Sequence, residues 1–416
     1  MFDMVADRPL KIAHCVGLHL LGGVERAYCE FINFKSHIFS VEHHTILVKN
    51  HIVPFLREQV SRGSSSIHAF LPDRLFNKAK IPKIVPGYRS VRKWHRKRLL
   101  AKIQPDVLVL WSRPELITLG KRVPALKIIY YEHGASWFFT SDVRMRRLRD
   151  RVSGVICNSF AAKRMLELKW GDWGDGRIKV CLNAVRPDCL PPVPKMKLLP
   201  QGRPFRLGLA GRVESLKGMP LALHALAELK KRGISCELAV AGEGKELQKL
   251  RTLSRNLTLG NQVSFLGVVQ NMSTFYEAID CFLCPSLREP FGLVCAEAMA
   301  HGCPVIAATV DGLPEVVLHG ETGFCLEATL PLEDYPAFGG AMDDVPGLIY
   351  NPVSDRLEPP KLLDPRLIAD AVAELVHHAS QYETMSQAAS LRARERFDHQ
   401  RHAQDVLEAM IAFCKR

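Results

Sequence analysis

Short runs of apolar, often β-branched residues alternate along this chain with longer stretches whose apolar positions recur every three to four residues. That alternation is the pattern of a parallel sheet whose strands are joined by helices. In the first half it predicts strands over 11–16, 44–49, 106–111, 127–131, 154–158 and 178–182, and in the second half over 205–210, 236–241, 263–266, 281–284 and 304–308. Between the two sets, residues 186–203 are proline-rich with little periodicity and read as a linker. The expected fold class is therefore α/β, two tandem Rossmann-like domains with a cleft between them: 1–185, then 204–395. The period fails again over 329–362, where six prolines and six acidic residues point to an inserted surface loop. The final stretch, 396–416, has helical spacing and is expected to pack back across the domain boundary.

Length agrees with this division, because 416 residues are too many for one hydrophobic core and suit two domains. With 47% hydrophobic and 24% charged residues the chain is neither disordered nor fibrous. Its 12 cysteines are scattered and often sit in apolar runs, as buried thiols of a reducing compartment do. Asp3, Asp7, His14 and His19 interrupt what would otherwise be a leader, and no run of about 18 apolar residues occurs. The expected location is the cytoplasm, with peripheral attachment at the inner face of a membrane.

Charge changes the picture more than composition does. Through Arg203 there are 36 Lys and Arg against 16 Asp and Glu, a balance of +20, while the remainder carries 20 against 27, a balance of −7. Such asymmetry assigns an anionic partner to the first domain only. The densest basic stretch, 78–102, holds ten basic residues from Lys78 to Lys102 and no acid. Its Val91-Arg-Lys-Trp-His-Arg-Lys-Arg-Leu-Leu segment reads as a basic amphipathic helix for an anionic membrane surface, or as a solvated helix. No aromatic-rich sheet motif or zinc spacing supports nucleic acid, which is not expected as a partner.

The strongest local signal is Pro285-Ser-Leu-Arg-Glu-Pro-Phe-Gly-Leu-Val-Cys-Ala-Glu. A strand ends near Ser286, a loop carries Glu289, and a helix begins around Gly292, which leaves the Leu293 and Val294 amides free to bind a phosphate. Glu297, about a turn further on, can accept hydrogen bonds from two ribose hydroxyls. Taken singly, Glu289 reads as a solvated loop acid and Glu297 as a helix-surface acid. Upstream, Gly211-Arg-Val-Glu-Ser-Leu-Lys places Arg212 and Lys217 in one loop after a strand, where two positive charges suit a diphosphate leaving group. Gly242 and Gly244 follow another strand and permit a tight turn beside a base; Leu247 stands where a dinucleotide fingerprint would need its third glycine. In the first domain, Gly22 and Gly23 follow the first strand and His133 ends another, where open α/β sheets present ligands. Asn158, Ser159 and Asn183 hold similar positions. Cys281-Phe-Leu-Cys284 reads as buried packing, His43 and His44 lack partners at useful spacing, and no Asp-x-Asp ends a strand. No metal and no cofactor are expected.

These motifs resemble the GT-B fold glycosyltransferases, specifically retaining family 4 (glycosyl transferases group 1). Glu289 and Glu297, with seven residues between them, match that family's paired-glutamate motif, and Gly302-Cys-Pro-Val-Ile-Ala and Gly320-Glu-Thr-Gly match its continuation. The likeness is strong over 204–327 and weak in the first half. It implies that Glu289 and His133 contact the donor sugar and that Glu297 holds the ribose. It also implies that Phe291, Gly292 and Leu293 present amides, Arg212 and Lys217 bind the diphosphate, and Gly22 and Gly23 let the backbone approach the anomeric centre. Asn183-Ala-Val replaces the family's Asn-Gly-Val. The implied reaction moves a hexose-type sugar, with UDP favoured over GDP as carrier, to a hydroxyl of a saccharide or glycolipid acceptor, a lipid-linked saccharide of surface polysaccharide or glycolipid synthesis. Two rivals stand beside it: a GT-B nucleotide-sugar epimerase, which needs further acid and base groups, and a noncatalytic nucleotide-sugar-binding subunit, which would have lost Arg212, Lys217 or Glu289.

Overall fold

A computed structural model describes residues 8–20, 22–69, 74–75, 79–80, 88–117 and 126–415. Contacts divide the chain into two compact units, one of Met1–Asn158, Trp170–Cys181 and Gln400–Arg416, the other of Ser159–Lys169 and Leu182–His399. In chain order the first part comprises β1 (Leu10–Val16), α1 (Gly23–Asn33), β2 (Val41–Leu47), α2 (Arg57–Gly63), β3 (Ser66–Ala69), a small ribbon of β4 (Arg74–Leu75) and β5 (Ala79–Lys80), and α3 (Tyr88–Ile103). It continues with β6 (Val107–Trp111), β7 (Lys127–Glu132), α4 (Asp142–Arg149), β8 (Gly154–Cys157), α5 (Phe160–Trp170) and β9 (Ile178–Val180). Its main sheet has the order β3-β2-β1-β6-β7-β8-β9, every pair parallel. All five residues of β6 are buried, as a strand covered on both faces requires.

The second part comprises β10 (Phe205–Ala210), α6 (Met219–Lys231), β11 (Cys236–Ala241), α7 (Leu247–Asn256), β12 (Val263–Gly267), α8 (Met272–Ala278), β13 (Cys281–Cys284), α9 (Leu293–Ala300), β14 (Val305–Ala308), α10 (Leu313–Val316) and β15 (Gly323–Leu326). A hairpin of β16 (Ile349–Asn351) and β17 (Arg356–Glu358) follows, then α11 (Pro365–His377), α12 (Ala379–Arg396) and α13 (His399–Cys414). Its sheet is again parallel, in the order β12-β11-β10-β13-β14-β15.

Two helices belong to the unit that is not their neighbour in sequence. α13 buries Ala403, Val406, Met410 and Phe413 in the core of the first unit. Gly154 of β8 has no side chain because the Phe413 ring occupies the space a Cβ would need. Conversely, α5 groups almost wholly with the second unit, where the Glu315 carboxylate accepts from the Phe160 and Ala161 amides at 2.8 and 2.6 Å.

The stretch expected as a linker is strapped along the second unit. Lys195 and Lys197 donate backbone N–H bonds to the Ser390 and Ser386 hydroxyls. The Lys197 ammonium also donates to the carbonyls of Tyr276, Glu277 and Ile279, satisfying the end of α8 that a helix otherwise leaves open. The segment 329–362 likewise carries more structure than a plain surface loop. Its Tyr335 is fully buried and donates to the Ser215 carbonyl at 2.6 Å, and it includes the β16–β17 hairpin. All twelve cysteines are free thiols, and only Cys325 and Cys414 are not buried. Among the described residues no helix is long and apolar enough to cross a membrane. Of the basic stretch, Lys78 and Lys83 lie outside the described residues and Lys80 is in β5, while α3 carries the rest, with Trp94 60% exposed and Leu99, Leu100 and Ile103 buried.

Candidate active site

The second unit builds its site at the C-terminal ends of β10, β11 and β13. After β10 the chain turns through Gly211, Arg212 and a short turn over Ser215–Lys217 before entering α6. The Lys217 ammonium donates to Glu289 Oε2 at 2.5 Å, which joins the β10 loop to the β13 loop. Burial alone would push the Lys217 proton off; the Glu289 carboxylate outweighs it, and the lysine pKa stands above its ordinary value. Arg212 is turned away from this pair: its guanidinium is 59% exposed and donates to Glu214 at 2.8 Å. The structure thus brings Lys217 and Glu289 together and leaves Arg212 at the surface of the same loop.

Gly242 and Gly244 have a structural reason beyond the expected tight turn. Gly242 holds a left-handed φ of 138°, and a Cβ on either residue would run into the backbone of Gly211 or Val213. The two loops interlock through Gly211 N to Ala241 O at 3.0 Å and Val213 N to Glu243 O at 2.9 Å.

Gly292, at φ 97°, precedes α9, and the Cys295 and Ala296 amides bond back to its carbonyl. Leu293 and Val294 are the first residues of the helix, and their amides have no acceptor within it. Phe291 is buried beneath, edge-on to Phe397. Glu297, expected to hold the ribose, lies one turn into α9. It is 3% exposed, its Oε1 accepts from Arg186 Nε at 2.8 Å and its Oε2 from the Tyr276 hydroxyl at 2.8 Å. Both oxygens therefore already have protein partners. Burial and this carboxylate together hold the Tyr276 phenol well above its usual range.

One residue that shapes the site was not singled out from the sequence. Asp311, buried, accepts the Glu289 amide on Oδ2 at 2.9 Å and the Tyr350 amide on Oδ1 at 2.8 Å. It thereby fixes the backbone of the Glu289 loop and ties it to β16 of the 329–362 segment. The Val-Asp-Gly-Leu-Pro run around it marks a turn, but nothing local shows what the carboxylate holds.

In the first unit, Gly22 caps α1 in an extended conformation and the space over Gly23 is open, so the turn demands neither glycine for its geometry. His133 stacks on Trp111 with ring centroids 5.3 Å apart, and its Nε2 is buried without a hydrogen-bond partner. Burial, with a smaller contribution from His402, lowers its pKa to about 3, so the ring is neutral at pH 7. Nothing local in the sequence marks the role of the preceding Glu132. Completely buried, it accepts from the Tyr130 hydroxyl, the Gly134 and Ser136 amides and the Ser136 hydroxyl, and so sets the shape of the loop that carries His133. Asn158 and Asn183 are buried, the latter with an unpartnered Oδ1.

Two parallel-sheet Rossmann-like units define the class of fold found in GT-B glycosyltransferases, and comparison with known proteins agrees. Residues 195–333 match the family model described as glycosyl transferases group 1. A D-inositol 3-phosphate glycosyltransferase of Corynebacterium diphtheriae is 33% identical over 148 residues, which span 34% of this chain and 35% of that protein. The lipopolysaccharide core biosynthesis glycosyltransferase LpsD of Rhizobium meliloti is 28% identical over 236 residues, 56% of this chain and 63% of that protein. In structure, HepE of Anabaena in complex with UDP superposes with a TM-score of 0.73 at 18% identity, over 97% of this chain and 100% of that one. The chain thus matches about a third of the length of the first relative and under two thirds of the second, and the family match falls on the unit that carries Lys217 and Glu289.

Proposed function

We propose that this chain is a retaining, metal-independent glycosyltransferase of family 4 that moves a hexose-type sugar from a nucleoside diphosphate, UDP in preference to GDP, to a hydroxyl of a lipid-linked saccharide. The observation that carries the reading is the Lys217–Glu289 pair beside the open N-terminus of α9. A cation and unpaired amides in one place suit a diphosphate, and a carboxylate next to them suits the hydroxyls of the sugar attached to it. The relatives' names support glycosyl transfer, and the UDP held by the Anabaena protein supports the donor class.

In this reading Lys217, Arg212 and the Leu293 and Val294 amides stabilise the charge that gathers on the departing diphosphate. Lys217 releases part of its bond to Glu289 as the donor enters, and Glu289 turns that freed capacity to a sugar hydroxyl. A donor phosphate oxygen takes the acceptor proton on the face the diphosphate leaves, so no enzyme nucleophile is needed. Glu297, held by Arg186 and Tyr276, shapes the helix from beneath and meets a ribose only if those bonds are exchanged. Neutral His133 offers one ring nitrogen as a hydrogen-bond donor to the sugar and the other as an acceptor. The basic face of α3 holds the protein on an anionic membrane where a lipid-linked acceptor resides.

The test is a transfer assay with purified protein, radiolabelled UDP-hexoses and a lipid-linked saccharide extract, with and without EDTA. Labelled product with an unchanged anomeric configuration and an unchanged rate in EDTA is expected. An inverted product, or a rate that EDTA abolishes and Mg²⁺ restores, defeats the corresponding part of the reading; interconversion of donor sugars without transfer favours the epimerase.

A further inference from the structure

The first unit contains a cavity of ≈ 580 Å³ that the sugar-transfer reading does not use. It lies at the N-terminal ends of β2 and β3, where α1 finishes, and is lined by residues 31–36, by Phe39, Val41 and His43, by residues 62–65 and by Leu407 of α13. Gly22 and Gly23 stand at the other end of α1, about 16 Å away for an 11-residue helix. The volume is within the roughly 300–1,000 Å³ range of small-molecule sites.

Its two sides differ in chemistry. The side made by α1, the turn after it and α13 is apolar: Phe31, Ile32 and Leu407 are buried, with Phe34 and Phe39 partly so. The other side carries hydrogen-bond donors. Arg62 and Lys35 are exposed at the mouth, and no Asp or Glu lines the cavity. Arg62 is aimed, because its Nε donates to Asn33 Oδ1 at 2.8 Å while the Asn33 amide nitrogen donates to the Cys29 and Gln59 carbonyls. Among the described residues neither Arg62 nor Lys35 has a carboxylate partner.

A buried relay fixes a third donor. Trp111 Nε1 can only donate, and it does so to His14 Nδ1 at 3.1 Å. The proton of neutral His14 is therefore on Nε2, which donates to His43 Nδ1 at 2.9 Å. His43 must then carry its own proton on Nε2, in a ring that lines the cavity. Burial keeps both rings neutral, His14 well below the usual histidine range and His43 at about 4. Ser65 N bonds to the His43 carbonyl at 2.8 Å, so this ring and the Arg62–Ser65 segment are held together.

Charge then selects the class of occupant. Two cations stand at the mouth, and the C-terminal ends of α1 and α2, each carrying up to about half a negative charge, offset part of them. The balance of about +1 is met by one negative charge better than by two. We propose that this cavity binds an organic monocarboxylate with an apolar body, its carboxylate against Arg62 and His43 Nε2–H and its body against Phe31, Phe34 and Leu407. The inference stands independently of the sugar-transfer reading.

Titration calorimetry with octanoate, acetate and octanol on the full chain tests it, alongside long-range ¹H–¹⁵N spectra of the histidines. One saturable octanoate site is expected, with acetate and octanol each at least tenfold weaker and the His43 Nε2–H resonance moving on binding. Arg62→Glu and Lys35→Glu, both at exposed positions and each to be checked for a native circular dichroism spectrum, are each expected to weaken octanoate at least tenfold. Absence of saturable octanoate binding overturns the proposal. So does octanoate binding indifferent to both substitutions, or octanol binding as tight as octanoate.

Discussion

At the level of single residues, the charge on Lys217 is the quantity to test. It is held beside Glu289 within a partly buried loop, so its removal takes away a cation aimed at the leaving diphosphate and leaves the carboxylate unpaired. Lys217→Ala should lower kcat by at least about 100-fold, the loss typical of one preorganised transition-state contact. Arg212→Ala, at an exposed position, should lower kcat in the same direction with no change in the unfolding midpoint. Wild-type turnover in both variants would remove the diphosphate assignment. A second residue-level effect concerns acid. His133 and His43 have folded pKa values of about 3 and about 4, below the unfolded value, so between pH 6.5 and those values the unfolded chain binds protons that the folded chain refuses. Their stability contribution is complete above pH 6.5 and falls with pH, at up to about 1.4 kcal/mol per pH unit for each ring. Urea midpoints should drop from pH 7 to pH 5, and His133→Gln should flatten that slope; a midpoint level across the window would contradict the buried neutral state. The sequence showed where His133 and Glu289 stand because strand ends and a loop–helix junction are local patterns. It did not show Glu132, Asp311 or Arg186, whose partners are set by turns and tertiary contacts.

Elements were legible in proportion to how completely they are buried. Phe205–Ala210, Cys236–Ala241 and Cys281–Cys284 occur as expected to the residue, because these central parallel strands are mostly apolar, with only Arg206 and Glu237 charged, and are bounded by turn residues. The edge strand β3, Ser66–Ala69, went unread because it has a Ser, a His and no buried residue. β15 begins inside the Gly320-Glu-Thr-Gly motif and adds only a short apolar run, and three-residue strands such as β16 and β17 leave too short a period to detect. α3 is the element whose function can be tested alone. Its exposed Trp94 lies under the Arg98 guanidinium at 5.3 Å, and Lys97 and Arg98 are exposed, while Leu99 and Leu100 hold the helix to the unit. Several basic residues at about 1 kcal/mol each suffice for reversible attachment to an anionic surface. Wild-type protein should sediment with phosphatidylglycerol vesicles at low salt and be released at 1 M salt, where the Debye length is about 3 Å. Changing Arg96, Lys97 and Arg98 to Glu should abolish sedimentation and leave UDP affinity unchanged. Indifference of the wild-type protein to these vesicles would return α3 to the role of a solvated helix.

For the molecule as a whole, the division of labour follows from which residues each unit recruits. The second unit contains Lys217, Glu289 and the start of α9, and therefore everything proposed to bind the diphosphate. The first unit is completed by α13, although that helix follows the second unit in sequence, and Phe413 anchors it against Gly154 of β8. A ligand that binds only the folded state stabilises it by RT ln(1 + [L]/Kd), about 2.7 kcal/mol at 100 times Kd. For a unit of roughly 200 residues that stabilisation raises Tm by about 5–10 °C. Phe413→Ala opens a cavity in the other unit at a cost of about 3–5 kcal/mol. Scanning calorimetry should therefore resolve two transitions, one raised by UDP and unaffected by Phe413→Ala, the other lowered by Phe413→Ala and insensitive to UDP. If UDP instead raises the transition that Phe413→Ala lowers, the diphosphate is held by the first unit, and Lys217 with the α9 amides loses the role assigned to it.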